Sequence, residues 1–266
     1  MFHDALEIFV VFFLLVVVVP YVLGPILIFT IQRFRVPPHI VPLDPVTDPL
    51  PPEARQYFSE VFTALTREGF ELAGTMGLLD VVPNVQCILA LYVQRRTGDQ
   101  AMSTLIVAKA SGAPMLKSRY VEFVTRFDDG TVVQTNNSSE LSAFQKLPNE
   151  HTAKFWEIQD VRRLYHLHRL LLPRFSRSSR PVLLLDRDFG GDVVAYVSKI
   201  ALEDSFAQQV PTGYLRHCPQ GFAPTIKGAV LMTWRELWPC KAIRRARCLR
   251  SANALLAEVG PQLDAK

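Results

Sequence analysis

The side chains able to do chemistry in this 266-residue sequence are best judged by their spacing. His166 and His168 are potential metal ligands two residues apart. On a helix that spacing turns them about 200° from each other, whereas one ion needs ligands three or four residues apart. They read as one surface and one packed histidine. Asp186, Asp188 and Asp192 lie beside Gly190 and Gly191, hard oxygen ligands that could hold a divalent cation. An aspartate-rich turn capping the next helix explains them as well. Asp188-Phe189-Gly190 would bind a phosphate-associated metal behind a His-Arg-Asp loop and a glycine-rich loop, and the sequence has neither. It also lacks a Gly-x-Ser-x-Gly elbow, a His-Glu-x-x-His pair and any Cys-x-x-Cys. Cys87, Cys218, Cys240 and Cys248 are widely spaced and read as free thiols. The expectation is no catalytic residue, no cofactor-binding residue, no metal ligand and no cofactor.

The most informative segment lies near the C-terminal end. Trp234 and Trp238 are four apart, which on a continuous helix is one face, with Leu231 a turn earlier. Lys241, Arg244, Arg245, Arg247 and Arg250 follow within ten residues. Tryptophan favours the bilayer interface, and clustered basic side chains attract anionic lipid by about 1 kcal/mol each. The segment could therefore lie on a membrane or meet an acidic protein partner. Leu249, Ala252, Leu256 and Val259 form a stripe that would instead pack against a core. Just upstream, a helix, Gly213-Tyr214-Leu215, a turn, residues 222–226 and Lys227-Gly228 resemble the wing end of winged-helix domains. That resemblance implies a DNA-reading helix in front. Here that helix carries Asp192, Glu203 and Asp204 against Lys199 and would repel phosphate. Nucleic acid is not an expected partner.

These groups need a scaffold. Pro51-Pro52-Glu53 opens a helix, with Phe58, Val61, Phe62 and Leu65 at helical spacing and Gly69 closing it. Apolar, β-prone runs at 70–76, 86–95, 101–109, 119–127 and 131–135 predict a meander of about five antiparallel strands. Arg96-Thr97-Gly98-Asp99 and Asp128-Asp129-Gly130 supply turns. Helices dominate afterwards. Asp160 caps 161–172, which Pro173 ends, and Asp192 caps a helix to about residue 210. A short hairpin over 214–226 precedes a last helical region, 228–259, interrupted at Pro239 and ended by Gly260-Pro261. Strands grouped first and helices later predict an α+β fold.

Residues 8–31 contain no charge. As a helix they would span roughly 36 Å, enough for a single transmembrane crossing, with a kink at Pro20 and Gly24-Pro25. Arg33 and Arg35 after the run, against Asp4 and Glu7 before it, place its C-terminal side in the cytoplasm. Residues 36–52 carry seven prolines and should be an extended, stiff spacer. The expected plan is thus an anchor (1–35), a spacer (36–52) and a soluble α+β domain (53–266). A net charge of +4 is mild but leaves room for a local basic patch. These readings favour a single-pass, membrane-anchored, non-catalytic interaction or scaffolding protein. Its C-terminal helix would contact lipid or an acidic partner. A membrane-tethered hydrolase is the alternative.

Overall fold

The computed structural model describes residues 7, 11–12, 14–44, 48, 50, 52–82, 85–108, 115–176 and 178–263. The chain forms a mixed α+β structure in two compact units. One comprises residues 1–37, 141–146 and 203–247; the other comprises 38–140, 147–202 and 248–266.

The larger unit is built on a seven-stranded sheet of order β2-β3-β4-β5-β6-β7-β8. Its strands are β2 (His39–Pro42), β3 (Glu71–Val82), β4 (Val85–Gln94), β5 (Asp99–Ala108), β6 (Met115–Arg126), β7 (Val132–Asn136) and β8 (Glu150–Lys154). The five strands expected from the turn residues are β3 to β7, antiparallel neighbours in chain order. β8 adds a parallel pairing to β7. At the other edge β2 pairs antiparallel with β3. The proline-rich stretch is extended there, and an edge strand accommodates Pro42 because one side of its backbone needs no partner.

The sheet is covered on both faces, and β4 shows how. Ile88, Ala90 and Tyr92 enter one core with Tyr57, Phe58, Val61 and Leu65 of helix α3 (Pro52–Arg67) and Leu164, Leu167 and Leu171 of α4 (Val161–Phe175). Leu89, Leu91 and Val93 enter a second core with Leu185, Tyr196 and Val197. Alternate residues thus serve opposite cores, which is why this strand reads as a continuous apolar run. Each fully buried leucine contributes about 2–3 kcal/mol.

The capping expectations hold. Asp160 accepts from the backbone N–H groups of Arg162 and Arg163, and Asp192 from that of Ala195. Two helix ends differ. Pro173 lies inside α4, which continues to Phe175. The last helix, Cys240–Leu263, passes through Gly260-Pro261, and its buried Val259 and Leu263, four apart, hold that extra turn in the core.

The second unit contains a helical run of π-type turns, Leu14–Leu23, continued as Gly24–Ile31. A three-stranded sheet joins β1 (Phe34–Arg35), β10 (Gly221–Pro224) and β9 (Leu215–Cys218), and a helix follows at Ile226–Glu236. Phe34, Phe144, Phe206 and Phe222 form its aromatic cluster. Gly228 lets Ile226–Glu236 approach the hairpin, because a Cβ at that position would collide with the Tyr214 carbonyl oxygen.

Candidate membrane-facing site

Leu14–Ile31, 18 residues, is long and apolar enough to cross a membrane. Pro20 denies its ring nitrogen to the carbonyl four residues earlier, and wider π-type turns let such a carbonyl be reached from five residues on. Valines and leucines along the run, including Leu15, Val16, Val19 and Val22, are exposed.

Part of that run packs within its own unit against Ile226–Glu236. Gly24 makes room for Thr233, whose Cγ2 would stand 2.9 Å from a Cβ at position 24. The Trp234 indole N–H donates to the Tyr21 carbonyl at 3.0 Å. Because Tyr21 precedes Gly24 while Trp234 follows Thr233, the two helices run antiparallel. Arg216 lies over the Phe29 ring at 5.4 Å. Helical spacing had not exposed this pairing. The available signal was the juxtaposition of Gly24 and Pro25 with a charge-free stretch, 228–234, far along the chain.

The two tryptophans do not share a helix. Ile226–Glu236 ends before Trp238, and Leu237 is extended. Pro239 disfavours a helical residue ahead of it, which explains the break. Trp234 is 44% exposed and Trp238 77%. Lys241 pairs with Glu236 at 3.0 Å, and Arg244 sits 3.7 Å from the same carboxylate while donating to the carbonyls of Arg235 and Ser142. Arg245 and Arg247 are exposed. Arg250 is exposed as well and is counted with the larger unit.

The other polar candidates are occupied structurally. His166 faces Glu68 at 3.2 Å, whereas His168 is fully buried. Its Nε2 lies 2.9 Å from the Thr125 hydroxyl and its Nδ1 3.0 Å from that of Thr135. Thr125 in turn donates to Asp99 at 2.5 Å, and Asp99 also accepts from Tyr165 and Arg169. Burial lowers the His168 pKa to about 4, with the Asp99 charge partly opposing. These partners come from β5, β6, β7 and α4, so sequence spacing could not reveal them. Asp186 binds Arg95, Asp188 binds Arg187 and Asp192 caps its helix. Among the described residues no group of three such side chains could hold a metal ion. Asn136 and Asn137, which carry glycosylation-type sequons, are buried and bonded to Glu122, to the Val121 N–H and to the Ile158 carbonyl. A cavity of about 230 Å³ lined by Arg126, Asp128 and Arg187 includes neither Asp99 nor His168.

Comparison of the chain with protein-family models, with curated proteins and with solved structures finds no match.

Proposed function

We propose that this is a single-pass membrane-anchored, non-catalytic interaction or scaffolding protein whose basic segment meets anionic lipid. One observation carries the reading: the exposed apolar run Leu14–Ile31 belongs to the same compact unit as Trp234, Trp238, Lys241, Arg244, Arg245 and Arg247. Hydrocarbon would take the first, and headgroup phosphates would take the exposed Arg245 and Arg247. The basic flank Arg33 and Arg35 favours a cytoplasmic position for the chain beyond the apolar run, where anionic lipid is concentrated. The hydrolase alternative calls for a pocket gathering Asp186, Asp188 and a histidine. Asp186 instead binds Arg95, Asp188 binds Arg187, His166 faces Glu68 and His168 is buried.

The test uses the full chain in lipid nanodiscs. Anionic lipid should raise the thermal unfolding midpoint over that in zwitterionic discs, and 1 M salt should abolish the difference. R245Q/R247Q should shrink that midpoint difference, the lost lipid stabilisation being about 2 kcal/mol for the two charges. Equal midpoints in the two lipids would reject lipid contact by this segment.

A further inference from the structure

Pro25 has no N–H, so in a helix the carbonyl of Tyr21, four residues earlier, loses its ordinary donor. In water such a carbonyl is simply hydrated. In hydrocarbon it must find a donor within the protein. The Trp234 indole supplies one at 3.0 Å, from a helix more than two hundred residues away in sequence. Gly24 against Thr233 gives the close backbone approach that small residues provide between helices in lipid.

The surroundings of this pair have the same character. Ile226–Glu236 carries no charge from Gly228 to Trp234. Ile26, Leu27, Ile31, Ile226, Trp234 and Trp238 are all exposed. The charges that come immediately after are compensated inside the unit. Glu236 is held by Lys241 and Arg244, while Arg235 donates to the Ala143 and Phe144 carbonyls and stacks over Tyr214.

We infer that Ile226–Glu236 is itself seated in the bilayer beside the apolar helix, its exposed apolar face against acyl chains and Trp234 at the depth of Tyr21. Eleven residues make a helix of about 16 Å, too short to cross. Lys227, which donates to the Thr212 carbonyl, marks its water-side end. The occupant of the face is lipid, because the face continues the apolar surface of Leu14–Ile31. The inference rests on that run being the anchor.

The experiment reconstitutes the full-length W156F/W238F chain, whose remaining tryptophan is Trp234, into vesicles. Its fluorescence is read against acyl-chain-brominated lipid and against aqueous acrylamide. Brominated lipid should quench at least half the emission, and acrylamide should be at least threefold less effective than on the unfolded chain. A chain that floats with the vesicles while Trp234 ignores bromine and answers to acrylamide overturns the inference and leaves the anchor standing. A chain that fails to float overturns both. The same readings on W156F alone guard against a packing defect caused by losing Trp238.

Discussion

His168 has no contact with solvent and shares its two ring nitrogens with the hydroxyls of Thr125 and Thr135. Unfolded, the ring takes a proton near pH 6.5; folded, it holds out to about 4. The unfolded chain therefore binds more protons across that window. Stability should be fully present above pH 6.5 and fall as the pH drops towards 4, by about 3 kcal/mol in all. Urea unfolding of the full chain between pH 7 and 5 measures this before most carboxylates titrate. H168Q should be less stable at pH 7 yet show a flatter slope, and parallel slopes would contradict the assignment. The opposed facing of His166 and His168 was legible from their two-residue spacing. The partners of His168 were not, because Thr125 lies 43 positions away and meets it only through strand pairing and helix docking.

Helices and strands were legible where local chemistry decides them. Turns read at 96–99 and 128–130 and the apolar runs around them marked β3 to β7, the first turn falling one residue earlier in the structure, and Asp160 and Asp192 marked helix starts. β8 was not legible: Glu-His-Thr-Ala-Lys has no alternation, and its strand state comes from parallel pairing with β7. Prolines were over-read as stops at Pro173 and Pro261, where Phe175 packed against the core and buried Leu263 hold each helix beyond the proline. In the candidate membrane-facing site the basic cluster and the apolar run were each visible in sequence, but the packing of Gly24–Ile31 against Ile226–Glu236 was not. The contact between Ile226–Glu236 and the hairpin depends on a missing side chain. G228A places a methyl group on the Tyr214 carbonyl, and backbone cannot rotate out of the way. We expect a loss of about 2 kcal/mol or more, read as a lower unfolding midpoint in the same detergent or nanodisc. G130A is the control. Its Cβ meets nothing within 4 Å, so its cost comes from the positive φ of 84° alone.

At the scale of the molecule, the four thiols offer a direct reading of sidedness. Cys240 is exposed, Cys218 and Cys248 are half-buried, and burial pushes the Cys87 thiol up to about 12. A membrane-impermeant maleimide should react first at Cys240, and C240A should remove the fast phase. In cells, labelling only after permeabilisation agrees with the charge flanking the apolar helix. Labelling of intact cells would put this segment outside and remove the anionic inner leaflet as its proposed partner.

The unit holding the apolar helix is assembled from residues 1–37, 141–146 and 203–247. A ribosome delivers its first piece about 210 residues before its last. At about 5–20 residues per second that interval is roughly 10–40 s. Throughout it, the Tyr21 carbonyl and the surface at Gly24 are without Trp234 and Thr233, and the whole seven-stranded sheet, residues 39–154, is synthesised within it. Biogenesis therefore has a built-in order: the apolar helix is made first and completed last. A chain terminated between residues 32 and 225 would keep its hydrophobic helix but never acquire the segment that packs on it. With the proposed anchoring, truncations that spare the whole sheet should still be substrates for membrane quality control.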